Sequence, residues 1–78
     1  MICAEVAIYP LKTSNASSII NNSIEALNNE GIEFSVGSMS THIHGTEEQV
    51  WSGLKEMFRN AQRGGEVSMV ITISNSAK

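Results

Sequence analysis

His42 and His44, the two histidines of the chain, stand one residue apart in the stretch SMSTHIHGTEEQV. On a strand such a pair points to one side, so both imidazoles could serve the same metal ion. Glu5 or the single cysteine, Cys3, could add a ligand if the histidine strand lies beside the first strand. Zinc asks for three or four protein ligands in a tetrahedral array. No His-x-x-x-His or Cys-x-x-Cys spacing supplies the remainder. The residue types favour polar contacts of the histidines with a ligand or a neighbouring subunit over a metal site.

Hydroxyls crowd the same stretch, at Ser38, Ser40 and Thr41. A hydroxyl both donates and accepts, so it can hold an amino group or a second hydroxyl, although at a turn it also serves local backbone geometry. Met39 between them offers a soft, adaptable wall for a flat ring, or simple core filling. Glu5 is the one carboxylate of the first apolar stretch and suits a cationic or protonated group through a charge-assisted hydrogen bond. On an exposed face it would equally be solvated or paired across subunits. Tyr9 has an apolar ring and a polar tip, fit for stacking or for an interface. The chain holds no Gly-rich phosphate loop, no Gly-x-Ser-x-Gly turn and no acid–base pair of recognisable spacing. Binding rather than catalysis is the expectation.

Six elements must position these residues. The run ICAEVAIYPL alternates and ends at a proline, which predicts a first strand over residues 2–9. Ile2, Ala4, Val6 and Ile8 share one face of it; Cys3, Glu5, Ala7 and Tyr9 share the other. Ser14 or Asn15 can cap a helix over residues 15–30, in which Ala16, Ile19, Ile20, Ser23, Ile24 and Leu27 recur at helical spacing. Gly31 suits the left-handed position that follows. Ile32, Phe34 and Val36, then Thr41 and Ile43, alternate with polar residues on either side of Gly37-Ser38-Met39, predicting a hairpin. Thr46 and Gln49 form a capping box ahead of a second helix whose apolar stripe is Val50, Trp51, Leu54, Met57, Phe58 and Ala61. Trp51, Met57 and Phe58 read most simply as core, and Gly53 suggests a close backbone approach. EVSMVITIS is the last strand, after Gly64-Gly65.

The order β-α-β-β-α-β predicts an α+β, ferredoxin-like sandwich: a four-stranded antiparallel sheet with two helices on one face. The uncovered face would collect Glu5, Ala7, Tyr9, Ser35, His42, His44, Ser68, Val70 and Thr72. That mixture is too polar for a core and too rich in small and apolar groups for an ordinary wet surface.

The 78 residues suffice for one domain, 1–78. So short a chain buries little core and usually needs a staple. One cysteine permits no internal disulfide, which leaves self-association as a dimer or tetramer. With 41% hydrophobic and 17% charged residues the composition is globular, not disordered. The net charge of −3 and five scattered basic residues, Lys12, Lys55, Arg59, Arg63 and Lys78, argue against a nucleic-acid partner. MICAEVAIYPL is too short for a membrane span and lacks the layout of a signal peptide. The expected location is the cytoplasm, without a membrane partner.

Three stretches taken together, AEVAIYPL, GSMSTHIHG and VSMVITIS, resemble the family of small thiamine-binding proteins, also described as binding hydroxymethylpyrimidine. The matching positions are Tyr9-Pro10-Leu11, Ser40-Thr41 and Gly45, in order along almost the whole chain. Gly37 and Ser38 stand where some relatives carry an acidic residue or a proline. The resemblance implies a non-enzymatic, homo-oligomeric binding protein for thiamine or a related pyrimidine, with no metal or other cofactor. It implies ligand contacts from Glu5, Tyr9, Ser38, Met39, Ser40, Thr41 and His42, with Glu5 at the basic ring nitrogen. A metal-binding or a purely structural or regulatory oligomeric domain is the alternative.

Overall fold

The computed structural model describes residues 1–76; the sequence domain 1–78 therefore ends two residues beyond the described part. The elements are β1 (Ile2–Pro10), α1 (Ala16–Asn29), β2 (Glu33–Val36), β3 (Thr41–Gly45), α2 (Glu47–Gln62) and β4 (Val67–Ser74). All strand pairs are antiparallel, in the order β2-β3-β1-β4. This is the ferredoxin-like sandwich expected from the element order, with each boundary within two residues of its expected place. No helix among the described residues is long and apolar enough to cross a membrane.

Alternation builds the sheet. Ala4 and Val6 of β1 are buried while Glu5 between them is exposed, and Thr41 and Ile43 of β3 are buried on either side of exposed His42. The helices answer with a 3.6-residue repeat: Ile19, Ser23, Ala26 and Leu27 of α1 and Val50, Gly53, Leu54, Met57 and Ala61 of α2 are buried. Ala4, Val6, Leu27, Ile32, Ile43, Val50, Leu54 and Met57 form one cluster between sheet and helices. Ser23, fully buried among them, is satisfied locally: its hydroxyl donates to the Ile19 carbonyl one turn back at 3.0 Å.

Gly53 allows the close approach that its place in a helix suggests. A β-carbon there would stand 2.8 Å from Ile32 Cδ1 and 3.1 Å from Leu27 Cδ2. The stripe of α2 is only partly core, however. Met57 is buried, but Trp51 is 46% and Phe58 39% exposed, which corrects their reading as core. Val50, Leu54 and Met57 belong to the cluster that meets the sheet, and the flanking Trp51 and Phe58 overhang its β4 edge.

Helix ends are set by side chains and backbone as the sequence suggests, with one exception. Thr46 Oγ1 accepts from the Gln49 N–H at 3.2 Å and Gln49 Oε1 accepts from the Thr46 N–H at 2.9 Å, closing the capping box. Asn15 takes the N-cap position of α1 but makes no capping bond through its side chain; its N–H instead donates to Thr13 Oγ1 at 3.0 Å. After α1 the chain makes a Schellman turn: the Ile32 N–H donates to the Leu27 carbonyl and the Gly31 N–H to the Asn28 carbonyl. Gly31 sits at φ +68°, where a β-carbon costs about 1–2 kcal/mol. Gly31→Ala is expected to lose about that much stability in chemical denaturation, with the slope against denaturant unchanged.

Candidate binding site on the open sheet face

Strand register places the polar residues in rows. Glu5 lies opposite His42 on one side and Thr72 on the other, and Ser35 lies beyond His42. The neighbouring row runs Glu33, His44, Cys3 and Ser74. Every one of these side chains points away from the helices, because each alternates with a residue of the covered face. The open face expected from the sequence is therefore present.

Within it, Glu5 has the best-defined surroundings. The Ser40 hydroxyl donates to Glu5 Oε2 at 2.8 Å, and His42 Nε2 stands 3.3 Å from the same oxygen. Ser40 ends the loop joining β2 to β3, where the Gly37 N–H donates to the Ser40 carbonyl at 2.8 Å. The loop thus delivers a hydroxyl to a carboxylate on the adjacent strand. Among the described residues no hydrogen bond reaches Glu5 Oε1, which remains open to an incoming donor. The Glu5 and His42 side chains are 51% and 54% exposed, so the cluster is wet in an isolated subunit.

The other expected contacts are spread around this centre. Tyr9, 52% exposed, lies on the same face four residues along β1, roughly 13 Å away at strand rise. Ser38 and Met39 are exposed on the loop, Met39 to 84%. Thr41 points the opposite way and is buried. It joins Ser38, Met39 and Ser40 around a small cavity of about 120 Å³ on the helix side of the sheet, whose apolar wall includes Val6, Ile20, Ile24 and Val36. That volume is well below the roughly 300 Å³ at which drug-sized ligand pockets begin, so it suits a ring fragment and not a two-ring molecule. Ser40 is the seam, bordering the cavity while its hydroxyl reaches Glu5 on the far face.

The walls at Ile20, Ile24 and Val36 escape sequence reading because each fits an ordinary amphipathic repeat; only the loop folded over them makes them a cavity. His44 is brought opposite Cys3 and Glu33, yet among the described residues no three His, Cys, Asp or Glu side chains converge as a metal-ligand set. A larger hollow of about 700 Å³ near the start of α2, bordered by Glu30, Glu47 and Glu48, shares no residue with the carboxylate–hydroxyl cluster.

Two helices on one face of a four-stranded antiparallel sheet, with the other face bare and partly polar, define the class of protein at hand: a ferredoxin-like domain. The chain belongs to the family described as thiamine-binding protein, whose sequence profile matches residues 4–77. No curated protein sequence matches it. Among solved structures it is similar to a Streptococcus pneumoniae protein with a TM-score of 0.89 at 18% identity, over 97% of this chain and 87% of that one. A domain of unknown function from Bacillus cereus gives 0.83 at 22% identity, over 94% and 73%. A candidate thiamine biosynthesis/salvage protein from Thermotoga maritima gives 0.83 at 18% identity, over 96% and 83%. At these identities the structural likeness speaks for the fold; the family rests on the profile.

Proposed function

We propose that this chain binds thiamine, or a related pyrimidine such as hydroxymethylpyrimidine, without transforming it, in a self-associated form in the cytoplasm. The observation that carries the reading is the Glu5 carboxylate, held by Ser40 and His42 on one oxygen and open on the other. An aminopyrimidine presents an amino donor, and its basic ring nitrogen becomes a second donor once protonated; a carboxylate accepts from both with charge-assisted hydrogen bonds. The thiazolium of thiamine adds a positive charge, which a carboxylate attracts. The hydroxyls of Ser38, Ser40 and Thr41 suit the amino or hydroxyethyl ends, and Met39 supplies an adaptable wall beside them. His42 orients the carboxylate, and Tyr9 lies within the same face for a longer ligand to reach. Family membership supports the ligand class.

Exposure limits the site in a lone subunit, because ion pairs open to water contribute little. The ligand itself, or a second subunit, must shield Glu5 for tight binding. Titration calorimetry with thiamine and with hydroxymethylpyrimidine, at protein concentrations in the hundreds of micromolar, tests the reading. Saturable heat with either ligand is the expected result; no heat from either at more than one temperature overturns it.

A further inference from the structure

β1 is longer than the strand beside it. β3 begins at Thr41, opposite Val6, so residues 7–10 of β1 have β4 on one side and no strand on the other. The hairpin turns early: the Gly37 N–H donates to the Ser40 carbonyl, and only Ser38 and Met39 lie between. Continued pairing would set Met39 opposite Ile8, but Met39 is spent in the turn and stands 84% exposed. The sheet therefore steps inward here and leaves a gap beside β1 at the tip of the hairpin.

Which backbone groups face this gap follows from one hydrogen bond. The Leu11 N–H donates to the Glu66 carbonyl at 2.8 Å, one step beyond the Pro10–Val67 pair. Hydrogen-bonded and non-hydrogen-bonded pairs alternate along an antiparallel ladder. Ala7, Tyr9 and Leu11 therefore turn their N–H and C=O groups toward β4. Val6, Ile8 and Pro10 turn theirs the other way, where Val6 meets Thr41. Ile8 meets nothing: among the described residues neither its N–H nor its C=O has a partner on that side. Pro10 brings a further carbonyl and no N–H. The gap thus holds a single backbone donor with an acceptor beside it, groups that a folded chain ordinarily pairs.

We infer that the Ile8 main chain reads one edge of the bound pyrimidine. Its N–H donates to the ring nitrogen beside the amino group, and its C=O accepts from the amino group itself. In an extended strand the N–H and C=O of one residue point to the same side, and a 4-aminopyrimidine offers the complementary acceptor and donor on adjacent atoms. The ring takes the place that a further residue of β3 would fill. This contact presupposes the pyrimidine-binding reading above and supplies its selectivity.

The surroundings fit the same occupant. Ile8 borders the cavity of about 120 Å³ that Ile20, Ile24 and Val36 wall on the helix side, and Ile8, Ile20 and Ile24 are all only half-buried. Their side chains back one face of a ring, and Met39 is free to fold over the other. Ser40 borders the cavity and holds Glu5 with its hydroxyl, which leaves the ring nitrogen on the far side to the carboxylate. A 4-oxo pyrimidine reverses the reading edge: it sets N–H against the Ile8 N–H and C=O against the Ile8 C=O. Sites built to hydrogen-bond a polar edge reject a mismatched analogue by up to about 10⁴–10⁵-fold.

Amide hydrogen exchange followed by NMR tests the gap first without a ligand. The Val6 and Ala7 N–H groups face Thr41 and Val70 in the paired strands. The Ile8 amide should exchange at least about 10-fold faster than either, and slow by a similar factor with saturating hydroxymethylpyrimidine. Calorimetry on the natural chain then compares hydroxymethylpyrimidine with its 4-oxo counterpart, which should bind at least about 30-fold more weakly across a half-buried gap. A chain assembled by chemical ligation with an ester at the Ala7–Ile8 link lacks the Ile8 donor. It should bind the amino form about 10-fold more weakly and the oxo form no worse, because the clash of two N–H groups is gone. An Ile8 amide protected in the free protein, or still unprotected with ligand bound, overturns the contact and leaves the ligand reading standing. Equal affinity for the two forms does the same. No heat from either form overturns both.

Discussion

Ile43→Ala is expected to be the most damaging single truncation in the chain, lowering the melting temperature by at least about 10 °C. Ile43 is fully buried at the middle of β3, between Ala4 of β1 and Phe34 of β2, and belongs to the cluster that joins sheet to helices. Truncating a buried isoleucine removes its transfer energy and leaves a cavity, at a cost of about 2–5 kcal/mol. A domain of this length has roughly 4–12 kcal/mol in total, at about 0.05–0.15 per residue. Each kilocalorie shifts the midpoint by about 4–8 °C in domains of this size. Thermal unfolding followed by circular dichroism at one fixed protein concentration checks it, with Trp51→Ala beside it as the exposed reference. A larger loss from Trp51→Ala in dilute protein would contradict the burial seen in the single subunit.

The second large effect concerns binding. Glu5→Gln is expected to weaken thiamine affinity about 5- to 30-fold. Hydrogen bonds to charged groups contribute about 1.5–3 kcal/mol. The side chain is 51% exposed, so screening reduces that to about 1–2 kcal/mol. Glutamine keeps the shape and an acceptor for the Ser40 hydroxyl, and loses only the charge and one acceptor site. Calorimetric titration measures the change, and sedimentation of the same sample should be unaltered because glutamine keeps the size and shape of the side chain. Unchanged affinity removes Glu5 from the site.

Most of the fold was legible because each element carries its own period. Alternation in ICAEVAIYP, the threefold and fourfold recurrence from Ile19 to Leu27, and the Thr46–Gln49 box are local signals, and local signals survive in a single sequence. Trp51 and Phe58 were not legible. The α2 stripe is wider than the arc that contacts the sheet, and nothing in a helical repeat says where the sheet beneath it stops. The candidate site divides in the same way. That Glu5, His42 and His44 share a face follows from strand parity. That Ser40 reaches Glu5 on the adjacent strand, while Thr41 turns into a cavity behind them, depends on how a four-residue loop folds. Tyr9 shares the face of Glu5, as strand parity dictates, but distance along the strand separates it from the carboxylate.

The capping box has a consequence for how the chain can change in length. Thr46 is the only residue between the end of β3 and the start of α2. One residue added or lost there would turn α2 by about 100° about its axis, swinging Val50, Leu54 and Met57 off the sheet. The five residues between β1 and α1 carry no such phase requirement. Insertions and deletions among related chains should therefore gather at residues 11–15 and spare residues 45–47, a joint at which this architecture counts every residue.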